Sequence, residues 1–276
     1  MKKIIIFIIS FLLLIILIVI YARFIGTNGL ITKEYKIDDN NIASSFAGLK
    51  IVQFSDVHYN KNLNKQLLKD TVKEINLIKP DIVIFTGDLL DDNTIEDTTI
   101  NFIVEQLTNI NVKYHKYAIL GEHDYEYGYE KVSNILENSG FILLKNKYDI
   151  IINDNNDKIL IGGLDSYTSN KADINQLINE ETKSINYKII AIHEPDYTDI
   201  ILKELDANII LAGHSHNGQI AIPLLNTLFL PKYATKYYDN FYQINNTKLY
   251  VSSGIGNSNF DFRLFNHPSI NFYRFF

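Results

Sequence analysis

The longest apolar stretch of the chain lies at its amino terminus. Residues 4–21 form a run of about eighteen residues, interrupted only by Ser10, which is long enough for a helix to cross the hydrocarbon core of a bilayer. Lys2, Lys3 and the terminal amine precede this run. Because positive charge favours the cytoplasmic side, we expect the amino terminus in the cytoplasm and the rest of the chain on the extracytoplasmic side.

A cleaved signal peptide is the alternative interpretation of this run. No Ala-x-Ala cleavage site follows it, however, and it is longer than a signal-peptide core, which has roughly 7–15 apolar residues. We therefore predict an uncleaved transmembrane signal anchor over residues 1–24 of a single-pass protein of the cell membrane. Residues 25–48, which are rich in Asn, Asp and Lys, are predicted to form a linker and the first edge strand.

From Leu49 onward, short β-branched and aromatic runs alternate with segments of helical periodicity. In residues 65–79 the apolar positions recur at helical spacing, and Pro80 closes the segment. Further helices are predicted within residues 94–109, 129–139, 174–182 and 197–205. Strands are predicted over residues 50–54, 81–85, 117–120, 141–144, 150–152, 159–161, 188–192, 208–211, 249–252 and 270–273.

This order of elements predicts an α/β fold. Because strands occur in both halves with helices between them, we expect a four-layer α/β/β/α sandwich of two mixed sheets with flanking helices, preceded by the one transmembrane helix. The short strands near residues 141–161 are separated by Asn-rich and Asp-rich turns, which predicts a more antiparallel second sheet. No shift in composition divides residues 49–276, so we expect them to form one domain.

The charge and cysteine content narrow the possible chemistry. The chain of 276 residues has 26 Lys and Arg against 32 Asp and Glu, and no basic run follows its amino terminus. Nucleic-acid affinity depends on clustered Lys and Arg, so we expect no nucleic-acid partner. Cysteine is absent, which excludes a thiolate metal site and a thiolate nucleophile.

Histidine and carboxylate residues follow the predicted strands at five places. Ligands of open α/β sheets bind beyond the carboxyl ends of the strands, so these side chains are candidates for one shared site. The five places are Asp56-Val57-His58, Gly87-Asp88, Gly121-Glu122-His123-Asp124, His193 and Gly213-His214-Ser215-His216. Imidazole and carboxylate groups suit divalent Mn, Fe or Zn, and there are more of them than one tetrahedral ion takes. We therefore expect two divalent ions bridged by a shared carboxylate, with Asp88 as the candidate bridge.

The five motifs, in this order, resemble the signature of the calcineurin-like metallophosphoesterases. That signature runs Asp-x-His, Gly-Asp, Gly-Asn-His-Asp/Glu, a lone His and Gly-His-x-His, and the resemblance extends from about Leu49 to the carboxyl terminus. A closer resemblance is to membrane-anchored bacterial phosphodiesterases of the type that acts on lipid-linked nucleotide sugars. The segments that carry this second resemblance are residues 213–219, 228–231 and 251–256, together with Arg263 before Pro268.

The resemblance also implies roles for individual residues. One ion would be held by Asp56, His58, Asp88 and His216, and the second by Asp88, Glu122, His193 and His214. His123 would contact the phosphoryl oxygens or protonate the leaving group, since an imidazole can transfer protons near neutral pH. Asp124 is expected to orient its neighbours from outside the ligand set, as carboxylates near metal ligands commonly do.

Glu122 departs from the family pattern, which has Asn at this position. An Asn amide offers a neutral oxygen and an NH2 donor, whereas an ionised Glu is one methylene longer and only accepts hydrogen bonds. Three outcomes follow from this difference. Glu122 binds the second ion more tightly, or it swings away and leaves that site weaker, or it repels the phosphate and prevents hydrolysis.

These features together imply a metal-dependent hydrolase that cleaves a phosphodiester or pyrophosphate by attack of a water bridging two ions. Manganese is one candidate metal, and a lipid-linked nucleotide sugar such as a UDP-diacylglucosamine is one candidate substrate, which would place the protein in lipid metabolism. The alternatives are a membrane-tethered metal-binding scaffold that has lost turnover through Glu122 and a nuclease of the same fold. The apolar residues 220–230 are predicted to be either a core strand or a lip that dips into the bilayer.

Overall fold

The apolar run at the amino terminus forms helix α1, Lys2–Ile20, in the computed structural model of the chain, which describes residues 2–60, 65–91, 94–220, 230–257 and 261–276. A π-helical turn, Tyr21–Ile25, continues the helix, and the 24 residues together are long and apolar enough to cross a membrane. None of the side chains of α1 is buried. Most of the predicted strand or lip at residues 220–230 lies outside the described residues.

Two sheets follow this helix, each with six strands within the described residues. The first has the strand order β1-β12-β2-β3-β4-β5, and its strands are β1 (Ile31–Ile37), β2 (Lys50–Phe54), β3 (Ile82–Thr86), β4 (Lys116–Ile119), β5 (Phe141–Leu143) and β12 (Ser269–Phe275). The second has the order β10-β11-β9-β8-β7-β6, and its strands are β6 (Lys147–Ile152), β7 (Lys158–Gly163), β8 (Lys188–Ala191), β9 (Ile209–Ala212), β10 (Phe241–Ile244) and β11 (Thr247–Val251).

Side chains of successive strand residues point to opposite faces of the sheet, and this alternation divides the core into layers. In β3, Ile82 and Ile84 point between the two sheets, whereas Val83 and Phe85 point toward the helices on the outer face. The space between the sheets is filled by apolar residues of both, such as Ile51 from β2 and Ile189 from β8. The helices are α2 (Lys65–Ile78), α3 (Asp97–Thr108), α4 (Glu122–Glu126), α5 (Tyr129–Asn138), α6 (Glu180–Ser184) and α7 (Thr198–Glu204). Apolar residues of α2, α3 and α5 cover the first sheet and those of α7 cover the second, which confirms the predicted four-layer arrangement.

The second sheet is more antiparallel than the first, as the turn-rich sequence predicts. Strands β7, β8, β9 and β11 run parallel to one another, and the edge strands β6 and β10 pair antiparallel with β7 and β11. The centre of the sheet is parallel because β7, β8 and β9 are joined by crossovers that contain α6 and α7, and parallel neighbours need such connections. The prediction of a more antiparallel second sheet is therefore confirmed: two of its five strand pairs are antiparallel, against one of five in the first sheet.

The helix predicted over residues 174–182, by contrast, is interrupted. A 3-10 turn covers Ile174–Leu177, Ile178 is extended, and α6 begins only at Glu180. Asn179 accepts a hydrogen bond from the backbone N–H of Thr182, whose hydroxyl accepts one from the N–H of Asn179. Such a capping box starts a new helix, and it explains the break.

Candidate metal centre

The predicted site residues follow the carboxyl ends of strands in both sheets, and these strand ends lie at one edge of the domain. The residues after β2, β3 and β4 in the first sheet face those after β8 and β9 in the second. Asp56, His58, Asp88, Asp124, His193, His214 and His216 are buried there, and Glu122 and His123 are partly exposed. The structure thus brings all nine predicted site residues together.

Five of these residues have a left-handed backbone. The φ angles are 51° at Asp56, 44° at His58, 61° at Asp88, 68° at His214 and 47° at His216. A non-glycine residue in this region costs about 1–2 kcal/mol, and such strain persists only where the surrounding structure fixes it. Backbone strain of this kind concentrates at functional sites, and here it falls on the candidate ligands.

Glycines allow the loops of the site to approach one another closely. A methyl group on Gly121 would overlap Oδ1 of Asp88, and one on Gly213 would overlap the Ser55 hydroxyl. The backbone after β4 and after β9 can therefore pack against the Asp88 and Asp56 loops only if both positions lack a side chain.

Glu122 lies in the larger group of candidate ligands, which also contains Asp88, His193 and His214. The ligand atoms of these four residues all lie within 4.8 Å of one another. Glu122 Oε1 is 2.7 Å from His214 Nδ1, and Glu122 Oε2 is 3.0 Å from His193 Nε2. Burial alone would raise the pKa of Glu122, but the two imidazoles hold it well below its usual value. Burial would likewise lower the pKa of His214, whereas the Glu122 carboxylate raises it to about 9.

A second group contains Asp56, His58 and His216. His58 Nε2 is 3.0 Å from His216 Nε2, which in turn is 3.5 Å from Asp56 Oδ1. Burial and the neighbouring His58 hold the pKa of His216 well below its usual value, so this ring is neutral and keeps a nitrogen lone pair. Asp88 joins the two groups, since its Oδ2 is 3.7 Å from His58 Nε2 and 3.0 Å from His193 Nε2.

His123 forms the open side of the site together with Asp91, a residue that the sequence motifs did not single out. Asp91 Oδ1 is 2.6 Å from His123 Nδ1 and 3.2 Å from His58 Nδ1. The side chains of His123 and Asp91 are 18% and 16% exposed. Burial alone would lower the pKa of His123, but the adjacent Asp91 carboxylate raises it to about 10. The spacing Gly87-Asp88-x-x-Asp91 is the one sequence signal that could have identified Asp91.

Groups behind the candidate ligands fix their orientation. Asp124 accepts hydrogen bonds from the backbone N–H of Asp88, Leu89 and Gly121, at 2.8–3.0 Å. Burial raises the pKa of Asp124 to about 7. His193 Nδ1 lies 2.7 Å from a backbone carbonyl, and His214 Nε2 lies 2.8 Å from another. Contacts of this type hold metal-binding imidazoles in place.

The donor set fits two divalent cations. It consists of imidazole nitrogens and carboxylate oxygens without sulfur, which suits Mn, Fe or Zn. Asp56 Oδ2, Glu122 Oε2 and His193 Nε2 are buried, and none of the three forms a hydrogen bond of acceptable geometry among the described residues, although Glu122 Oε2 and His193 Nε2 lie 3.0 Å apart. Buried polar atoms without partners are rare and costly, so these three atoms are the ones that cations would satisfy.

Comparison with known sequences gives matches over most of the chain. A family profile described as calcineurin-like phosphoesterase matches residues 49–218. The metallophosphoesterase YkuE of Bacillus subtilis is 31% identical over 255 residues, a match that covers 91% of this chain and 87% of YkuE. The phosphodiesterase YaeI of Escherichia coli is 25% identical over 216 residues, or 76% of each chain.

Another relative is named as a transmembrane protein. The transmembrane protein with metallophosphoesterase domain of Danio rerio is 25% identical over 235 residues. This match covers 81% of the chain and 52% of the zebrafish protein, so the chain spans about half the length of that relative.

Proposed function

This chain belongs to the calcineurin-like phosphoesterase family, and we propose that it hydrolyses a phosphodiester or pyrophosphate bond with the aid of two divalent cations. One observation carries the proposal: side chains from five strand ends form two adjoining groups of candidate ligands that share the position of Asp88. Two divalent ions in such a site supply a polarised phosphoryl group and a water of lowered pKa.

The proposed ligand sets follow the two groups. Asp56, His58, Asp88 and His216 would hold one cation, and Asp88, Glu122, His193 and His214 would hold the other. Their short mutual distances support this assignment, as does the buried Asp56 Oδ2, which has no hydrogen-bond partner among the described residues. Because the loops are strained and closely packed, the ligand atoms are held in place by the fold itself.

His123 is the proposed general acid. Its ring lies at the partly exposed side of the site, where a substrate can reach it. Asp91 Oδ1 is 2.6 Å from Nδ1, so Nε2, which is 4.0 Å from Glu122 Oε1, is the nitrogen that would face the leaving group. His123 would donate its proton to the oxygen of the leaving group as the bond to phosphorus breaks. Asp124 would maintain the positions of Asp88 and of α4 through its three backbone contacts.

Glu122 is the one ligand that differs from the family pattern, and the first of the three outcomes is the one we propose. Both of its carboxylate oxygens contact imidazoles of its group, which supports binding of the second cation and argues against a carboxylate that swings away. The extra negative charge should strengthen binding, since ligand charge is a main determinant of cation affinity.

Replacement of Glu122 by Gln should therefore weaken the second cation site by about tenfold or more. Titration calorimetry with Mn²⁺ on the metal-depleted chain would measure both affinities. Glu126→Gln is the matched control, because Glu126 is an exposed residue of the same short helix. If wild type and Glu122→Gln bind each of the two ions with the same affinity, Glu122 is not a metal ligand.

Hydrolysis of an aryl phosphodiester by the purified full chain tests the proposed function. We expect nitrophenol release that stops after chelation and returns when Mn²⁺, Fe²⁺ or Zn²⁺ is added, with two ions per chain by elemental analysis. Two bound ions without hydrolysis of any phosphoester in a broad panel would instead support the metal-binding scaffold. Cleavage of DNA in preference to the aryl ester would support the nuclease.

The proposed location is the cell membrane, with the metal centre on the extracytoplasmic side. Helix α1 is apolar enough to span the bilayer, and Lys2 and Lys3 precede its apolar core. The zebrafish relative, which is named as a transmembrane protein, is consistent with this proposal. A lipid-linked nucleotide sugar is the candidate substrate that we propose from the sequence resemblance, and direct assay with a UDP-diacylglucosamine would test it.

A further inference from the structure

We infer that the edge of the domain that carries the metal centre faces the bilayer crossed by α1, with Phe265 at the lipid interface beside the helix. This inference concerns how the domain is oriented on the membrane. It rests on the proposed membrane-spanning role of α1, and it does not depend on the hydrolytic activity.

The membrane helix ends directly on the domain, without a free linker. The backbone N–H of Arg263 donates to the carbonyl of Ala22 at 2.9 Å, and a methyl group on Gly26 would overlap the Arg263 carbonyl. Arg23 also pairs with Asp261 at 3.2 Å. The last turn of the helix is thus fixed to the segment that contains residues 261–268, which we call the anchor loop.

The anchor loop also contacts the metal centre. The Arg263 side chain is fully buried, and its Nη2 is 3.3 Å from His216 Nδ1 and donates to the Gly254 carbonyl at 3.2 Å. Asn266 donates to the carbonyl of His216. A single short loop therefore joins the end of the membrane helix to a candidate ligand.

Strand directions give the same orientation independently. Strand β1 follows the helix and runs parallel to β12, so that Ile31 pairs with Ser269 at the end nearest the helix. Strand β12 runs antiparallel to β2, and Asn271 pairs with Gln53. The carboxyl end of β2, which leads into Asp56, therefore lies at the helix end of the sheet. The opposite edge is about 20 Å away, since a strand rises about 3.3 Å per residue.

The length of the helix places the anchor loop at the membrane surface. From Lys3 to Arg23 the helix extends about 30 Å at 1.5 Å per residue, which matches the hydrocarbon core of a bilayer. Arg23, and with it the loop, would then lie at the second interface. Exposed apolar side chains occur at this level: Phe24, Ile25 and Phe265 are 64%, 55% and 71% exposed. Exposed aromatic residues next to a membrane helix are well suited to the interface.

This orientation of the domain also determines how a substrate reaches the site. The partly exposed His123 and Glu122 lie on the same edge as the anchor loop, so a substrate would reach them from the layer between the domain and the lipid headgroups. Phosphoesters held at the membrane surface would meet the site at high local concentration.

Fluorescence quenching by lipids can test this orientation, because the chain contains no Trp. Phe265→Trp places a single probe on the anchor loop of the full chain in vesicles that contain doxyl-labelled lipids. Phe276→Trp and Ile152→Trp are the matched controls, since both residues are more than half exposed and lie at the opposite edge of the sheets. We expect quenching at position 265 to be several times stronger than at positions 276 and 152.

Equal quenching at all three positions, or stronger quenching at 276 or 152, would overturn the inference, as would failure of the chain to float with the vesicles. If Trp disturbs the loop, a dye on Phe265→Cys gives the same comparison, because the chain also contains no Cys. Strong quenching at position 265 without hydrolysis of phosphoesters would support the inferred orientation and contradict the proposed activity. Hydrolysis of phosphoesters with equal quenching at all three positions would support the proposed activity and contradict the orientation.

Discussion

Replacement of Asp88 by Ala, or of His214 by Ala, should abolish metal-dependent hydrolysis of an aryl phosphodiester. Asp88 lies between both groups of ligands, and His214 is in contact with Glu122 in the second. Loss of either removes a ligand and leaves other buried charges without a partner. Metal ions contribute several kcal/mol to such reactions, so we expect kcat/KM to fall by about 10³-fold or more.

His115→Ala is the control for these variants, because His115 is exposed and lies outside the site. Its rate and metal content should match those of wild type. Elemental analysis of each variant would separate loss of the ions from loss of chemistry. Persisting hydrolysis in both Asp88→Ala and His214→Ala would exclude the proposed dinuclear site.

Replacement of His123 by Asn should lower the rate by about 10²–10⁴-fold, the usual contribution of a general acid. The loss should grow as the leaving phenol becomes less acidic, because a poor leaving group depends more on protonation. A series of aryl phosphodiesters with graded phenols would measure this trend. A variant that has only lost its fold or its ions would slow all substrates equally.

Asp91→Asn should show the same trend with a smaller loss, since this substitution removes the carboxylate that holds His123 and leaves the imidazole in place. Asp97→Asn, at an exposed position in the first turn of α3, is the control and should behave like wild type. If the rate of His123→Asn falls by the same factor for every leaving group, His123 is not the general acid.

Sequence patterns were sufficient for much of the fold. The strands β2, β3, β8 and β9 are short, rich in β-branched residues and buried apart from Lys50, so they have no competing interpretation. Glycine or Asp residues follow the ends of β2, β3 and β9. Because the carboxyl ends of neighbouring parallel strands meet, the motifs could also be expected to converge before any distance was known.

Other features depend on contacts that no local pattern contains. Asp91 becomes part of the site only because the loop after β3 turns back toward His58 and His123. The parallel character of the second sheet depends on where the chain crosses between strands, which turn-rich composition does not specify. Arg263 joins the helix to His216, and because these two residues are 47 positions apart in sequence, no local pattern predicts their contact.

The left-handed backbone at Asp56, His58, Asp88, His214 and His216 has a consequence for how cations bind. The conformational cost of these positions is met when the domain folds, before any ion arrives. Cation uptake then requires little reorganisation of the loops, which is the physical meaning of a preorganised site. Selection among Mn, Fe and Zn would accordingly depend on the fit of each ion to a nearly rigid cage, and less on loops that adapt to whichever ion is most abundant.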